Sequence, residues 1–136
     1  MTRIIAGARR GRRLTVPPGR DTRPTSDRVR EAMFSTIESE LGPLSGLHVV
    51  DLYAGTGNFA VPLARAGMTG VSVEGDPNTA ARGRERATRE APGRLEVLSE
   101  DVASALAKLS RTKRRFDLAL LDPPRSGAKA ALAGIL

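Results

Sequence analysis

From residue 47 onward the chain alternates short apolar runs with longer amphipathic ones, and this alternation constrains the fold more than any other feature. Runs at 47–52, 71–73, 95–98 and 116–121 read as buried-type strands. Between them lie helical stretches at 59–66, from Asp76-Pro77 onward, and at 102–109. Asp76-Pro77 is a strong helix start, because Asp caps open amides and Pro at the first helical position sacrifices no bond. Pro62 falls in or just past the first turn of its helix, where a missing N–H costs least. Strands alternating with helices imply a parallel sheet with right-handed crossovers. The expected class is α/β, and 136 residues leave room for one such domain with a modest core.

The stretch before residue 47 is different. Val29, Met33, Ile37 and Leu41 recur at i, i+4, so a helix capped by Ser26 and stopped by Gly42-Pro43 is expected to pack on the body. Runs at 3–6 and 12–16 are β-prone with Gly7 and Gly11 between them, which suggests a small basic hairpin. Residues 1–30 carry nine arginines against two aspartates, whereas the rest balances thirteen cations with thirteen acids. Clustered arginines pair with phosphates and release counterions, so Arg3, Arg9, Arg10, Arg12, Arg13 and Arg20 are candidate contacts for the phosphate backbone of a polyanion such as a nucleic acid. The expected organisation is a basic arm at 1–24 ahead of a ligand-binding domain at 25–136. A second basic run at 111–115 precedes the fourth strand, on the edge opposite the expected ligand, and reads as a solvated turn. With no cysteine and only His48, a thiolate site, a multi-histidine metal site and a cysteine nucleophile are all excluded. No apolar stretch approaches the ~20 residues of a membrane span, and a cytoplasmic location is the default expectation.

The chemistry gathers after the strands. Asp51-Leu52-Tyr53-Ala54-Gly55-Thr56-Gly57-Asn58-Phe59 places a glycine loop behind the first strand, where backbone can approach a ligand closely. Gly55-Thr56-Gly57-Asn58-Phe59-Ala60 also fits a loose dinucleotide pattern, which alone is weak evidence. Glu74 ends the second strand, where a carboxylate can accept from both ribose hydroxyls. Asp101 follows the third strand and can accept from an adenine amino group, and Asp122 follows the fourth. Four acids at the carboxyl edge of an open α/β sheet favour a cationic nucleoside over a pyrophosphate. S-adenosylmethionine fits, through Asp51, Tyr53, Gly55, Gly57, Glu74 and Asp101; NAD fits less well. In Asp122-Pro123-Pro124-Arg125, two prolines leave no N–H to donate, so their carbonyls and the Asp122 carboxylate form an acceptor cluster suited to a nucleobase amine.

Arg3-Ile4-Ile5-Ala6-Gly7, Arg10-Gly11-Arg12-Arg13-Leu14, Arg23-Pro24-Thr25-Ser26-Asp27-Arg28-Val29-Arg30-Glu31-Ala32-Met33-Phe34 and Asp51-Leu52-Tyr53-Ala54-Gly55-Thr56-Gly57 resemble bacterial small-subunit rRNA guanine-N2 methyltransferases of the RsmD-like family. The resemblance implies a Rossmann-like class I methyltransferase fold, S-adenosylmethionine as donor, and rRNA, within an assembling small ribosomal subunit, as acceptor. It implies catalytic roles for Asp122, Pro123 and Pro124, with Arg125 standing where the family has an aromatic residue. It also implies a longer sheet, so that the fold reads as truncated at its C-terminal side and the 118–121 strand as an exposed edge unless paired. Asn58-Phe59, Val73-Glu74-Gly75 and Leu121-Asp122-Pro123-Pro124-Arg125-Ser126-Gly127-Ala128 look instead like RNA uridine-C5 methyltransferases, whose cysteine nucleophile is absent here. An inactive RNA-binding remnant and an NAD-linked oxidoreductase are the further alternatives.

Overall fold

The computed structural model describes residues 27–122 and the backbone of Arg3–Ile4. Its elements are β1 (Arg3–Ile4), α1 (Asp27–Leu41), β2 (His48–Leu52), α2 (Ala60–Arg65), β3 (Thr69–Glu74), α3 (Pro77–Glu90), β4 (Leu95–Ser99), α4 (Val102–Arg111) and β5 (Leu118–Leu121). Each expected strand and helix of the body is present, with ends moved by a few residues. The sheet has the order β1-β5-β2-β3-β4. Strands β2 to β5 are parallel, and β1 joins the outer side of β5 antiparallel.

The β1 pairing adds to what the sequence suggests. The backbone of Arg3 and Ile4, expected in a basic hairpin, lies in the body's own sheet, opposite Leu121 and Leu120. The β5 edge, expected to be exposed unless paired, is therefore covered at those two positions, which removes much of its hazard as a template for aggregation. The hairpin's second run, at 12–16, lies outside the described residues, as does Ser26.

Alternation along the strands divides the core between two faces. Val50, Leu52, Val71, Val73, Ala119 and Leu121 pack with Val102, Ala105 and Leu109 of α4. Val49, Leu118 and Leu120 pack on the other face with Met33 and Ile37 of α1 and with Phe59, Leu63 and Met68. The i, i+4 stripe of α1 is thus its buried side, each large side chain contributing roughly 1.5–3 kcal/mol of burial. Gly42 ends that helix at φ +72°, and its amide donates to the Glu38 carbonyl at 2.9 Å.

This order fixes where a ligand can sit. The chain runs outward from β2 through β3 to β4, then crosses back through α4 to reach β5 on the other flank of β2. The connection from β2 turns toward β3 while β5 lies on the opposite flank, so the strand order reverses at β2, and the carboxyl ends at such a point are where ligands of open α/β sheets bind.

Candidate functional site

The glycine loop begins where β2 ends. Tyr53 follows at φ +60°, a conformation uncommon for a bulky residue, and the Ala54 amide donates to the Val73 carbonyl at 2.9 Å. Left-handed backbone at a non-glycine costs on the order of 1–3 kcal/mol and clusters at ligand sites. Gly55 and Gly57 have φ +60° and +87°. A Cβ on Gly57 would stand 2.9 Å from Val61 Cγ2, so that glycine serves packing. A Cβ on Gly55 would point into open space, so that glycine leaves the backbone accessible from outside.

Three side chains or surfaces hold the loop. The Gly55 amide donates to Glu74 Oε1 at 3.0 Å, while the Asp76 amide donates to Glu74 Oε2 at 2.9 Å. Glu74 thereby ties the loop after β2 to the turn after β3, and each oxygen retains capacity to accept again. Gly83 of α3 lies against the loop, since a Cβ there would meet the Gly55 carbonyl oxygen at 3.3 Å. One turn later, Arg86 Nη1 donates to Asn58 Oδ1 at 2.8 Å and its Nε donates to Glu90 Oε1 at 3.3 Å.

Asp51 is the unusual member. It occupies β2 itself, is 1% exposed, and neither carboxylate oxygen has a hydrogen-bond partner among the described residues. Ser72, its register partner on β3, is likewise buried with an unpartnered hydroxyl. Burial first, then the like charges of Asp122 and Glu74, push the Asp51 carboxyl up to about 8; the nearby Ala60 amide offsets this in part without completing a bond. Asp51 in β2 therefore feels the charges of Glu74, at the end of β3, and Asp122, just past β5.

The structure brings together Asp51, Tyr53, Gly55, Gly57, Glu74 and Asp122 as the sequence suggests. Asp101 stands farther along the same edge, and its carboxylate is engaged locally. It caps α4, accepting from the Ser104 amide at 2.9 Å and the Ser104 hydroxyl at 2.7 Å. Those two bonds hold its pKa below the usual carboxylate value, the hydroxyl contributing more. Pro123, Pro124, Arg125, Arg9, Arg10, Arg12, Arg13 and Arg20 lie outside the described residues, and Arg3 is described only by its backbone. Gly83, Arg86 and Ser72 do not stand out in the sequence as site residues. A signal for Gly83 exists all the same: glycine inside a helix costs roughly 1 kcal/mol against alanine, so it calls for a close neighbour.

The arginine run at 111–115 lies at the amino edge, before β5. There Arg114 Nη1 reaches Glu96 Oε2 at 3.0 Å, and its guanidinium sits 5.6 Å from the Phe116 ring centre. Among the described residues no helix is long and apolar enough to cross a membrane.

The chain is similar to known proteins over this same scaffold. It is 39% identical over 101 residues to the 23S rRNA (uracil(1939)-C(5))-methyltransferase RlmD of Stenotrophomonas maltophilia, a match covering 74% of this chain and 23% of that protein. The chain thus spans about a quarter of the length of the curated relatives it matches. Among solved structures, a hypothetical protein of Thermus thermophilus superposes with TM-score 0.71 at 28% identity, covering 97% of this chain and 77% of the other. A SAM-dependent methyltransferase of Agrobacterium tumefaciens superposes with TM-score 0.55 at 18% identity, covering 71% and 30%, which speaks to fold alone. The fold is the Rossmann-like methyltransferase sheet, and the chain belongs, over residues 2–133, to the family described as Conserved hypothetical protein 95.

Proposed function

We propose that this chain carries the donor site of an S-adenosylmethionine-dependent rRNA methyltransferase. The observation that carries the reading is the carboxyl end of β2, where Glu74 fixes an accessible Gly55 backbone and the charges of Glu74 and Asp122 reach the buried Asp51. A site of this sign repels a pyrophosphate and favours a ligand with net positive charge. The kinship with an rRNA methyltransferase at 39% identity supports the same reading. S-adenosylmethionine supplies an activated methyl group on its sulfonium when bound.

In this reading the chain's own residues take the following roles. Glu74 accepts from the ribose hydroxyls with the capacity left beyond its two amide bonds. Asp101 accepts from the adenine amino group in the same way. Tyr53, Gly55 and Gly57 shape the floor of the site. Asp122, beside β2 at the end of β5, accepts from the amine to be methylated and favours positive charge developing there. The exocyclic amine of guanine is a weak nucleophile, because its lone pair is delocalised, so holding it in line is the main contribution. The Pro123 and Pro124 carbonyls extend the acceptor cluster, and Arg125 stacks its guanidinium on the base. The arm arginines Arg3, Arg9, Arg10, Arg12, Arg13 and Arg20 hold the phosphate backbone, which the acidic site could not attract by itself.

For the acceptor we propose N2 of a guanine in small-subunit rRNA, on the strength of the arm and the Arg23-Pro24-Thr25 block. The relationship to uracil-C5 enzymes favours a second reading, in which this scaffold belonged to a covalent methyltransferase; without a cysteine it has no nucleophile for that route. Two measurements test these readings. Calorimetry is expected to detect S-adenosylmethionine but not NAD, and the reverse result would sink the donor site. Incubation with rRNA and labelled donor, followed by nucleoside digestion, is expected to yield N2-methylguanosine; donor binding with no methylated nucleoside would favour the second reading.

A further inference from the structure

A buried carboxyl group without a hydrogen bond needs an explanation, and Asp51 has both oxygens in that condition. Among the described residues, its surroundings offer an ionised acid little support. From β3 come Ser72, in register with it, and Glu74 two residues further on; from β5 come Leu120, in register, and Asp122 just past the strand. From α2 comes the Ala60 amide. From α1 come the apolar Met33 and Ile37 of the same face, with half-buried Arg30 one turn earlier. Among the described residues, the charges acting on Asp51 are those of Asp122 and Glu74, and both oppose its ionisation. An ionised Asp51 would be a third negative charge in a dry place, and the neutral acid is the form such a place retains.

We propose that Asp51 is protonated in the ligand-free protein and surrenders its proton to solvent when a cationic ligand arrives at the carboxyl edge, so that the site separates a sulfonium donor from its neutral thioether product by charge. This inference rests on the donor-site reading above. Burial alone would make Asp51 a structural oddity; its place beside Glu74 and Asp122, at the mouth of the switch point, makes it responsive to a ligand's charge. A sulfonium offsets the repulsion that keeps the proton on Asp51. A thioether of the same shape does not, so Asp51 stays neutral beside it or takes a proton back from solvent once the methyl group has left. The discrimination is then pH-dependent. Below the point at which Asp51 ionises unaided, donor binding must expel a proton; above it, the carboxylate is already formed.

Calorimetry at pH 7 in two buffers of different ionisation enthalpy tests this with S-adenosylmethionine and S-adenosylhomocysteine as the probes. Release of about 0.5–0.9 proton per donor bound is expected, with almost none for the product. The ratio of donor to product affinity is expected to rise roughly tenfold between pH 6 and 7 and to level off above pH 8. Asp51→Asn should abolish the proton release and flatten that ratio. Independently of the variant, the carboxyl carbon resonance of Asp51 in the wild-type chain should move from the protonated to the ionised position on adding donor. Donor binding with no proton release, equal release with both ligands, or release that survives in Asp51→Asn would overturn this inference alone. Failure of both ligands to bind would overturn the donor-site reading and this inference with it.

Discussion

The two edges of the sheet are made from the same strands, yet they treat polar groups in opposite ways. At the amino edge, polar groups find local partners. His48 and Asp117 exchange bonds, the His48 amide donating to Asp117 Oδ2 and the Asp117 amide to the His48 carbonyl, both at 2.8 Å. His48 Nδ1 meets Thr69 Oγ1 at 2.7 Å, Arg94 donates to the Gly67 carbonyl at 3.2 Å, and Arg114 pairs with Glu96. At the carboxyl edge the side chains of Asp51 and Ser72 are buried without partners, and Tyr53 is held in left-handed backbone. Glu74 and Asp101 are satisfied there too. Among the described residues, however, this edge alone combines a buried unpartnered acid with left-handed backbone at a tyrosine, the kind of desolvation and strain found at ligand sites.

That contrast is best broken from the structural side first. Gly70 begins the amino half of β3, where a Cβ would stand 1.8 Å from the Val49 carbonyl oxygen. Gly70→Ala must push β2 and β3 apart, and a loss on the order of 3 kcal/mol or more is expected in denaturant unfolding. A variant as stable as wild type would show that the two strands separate readily.

The next largest effect lies at Asp51 and concerns stability without ligand. Its folded pKa is raised to about 8 from 3.8, so the folded state binds a proton that the unfolded chain has released. Stability therefore falls as pH rises from about 4 toward 8, by at most about 1.4 kcal/mol per unit, and is level above that. Unfolding at pH 5, 7 and 9 should show the decline in wild type and a flatter profile in Asp51→Asn. A wild-type profile that rises over this range would refute the burial of a neutral acid.

Glu74→Ala removes both loop ties and the proposed ribose contact. A loss of roughly 1.5–3 kcal/mol in S-adenosylmethionine affinity is expected by calorimetry, the usual worth of charge-assisted bonds. Unchanged affinity would reduce Glu74 to a brace for Gly55. The smallest effect is expected at Asp101→Ala, where loss of the Ser104 bonds frays α4 and lowers Tm by a few degrees. Because those bonds depress its pKa, the contribution of Asp101 is present above the ordinary carboxylate value and fades as pH falls through the lower folded one. The proposed adenine contact predicts weaker S-adenosylmethionine binding in the same variant, and unchanged affinity would leave Asp101 a helix cap alone.

What is legible in the sequence follows a physical rule. Local signals carry the helices: Asp76 caps α3 through the Thr79 amide, and Pro77 opens it as the sequence indicates. Period and spacing carry the strands and place Glu74 nineteen positions after Gly55, where the bond between them forms. Non-local facts do not show. Two residues, Arg3 and Ile4, do not reveal that their partner is β5, because strand pairing is decided by what else is exposed when the sheet assembles. Nor does an aspartate in a loop motif announce that it is sealed inside β2; that depends on which face of the strand α1 and α2 cover.

The pairing of β1 with β5 has a consequence for the order in which the molecule is made. Arg3 and Leu121 are more than a hundred residues apart in sequence, and closing so long a loop is unfavourable until other contacts have already drawn its ends together. The β2–β3–β4 unit can form from nearer neighbours, and β5 joins it through β2. On a ribosome, β1 therefore waits through the synthesis of the whole β2–β5 scaffold before its partner exists. A strand made before the others is among the last to be seated.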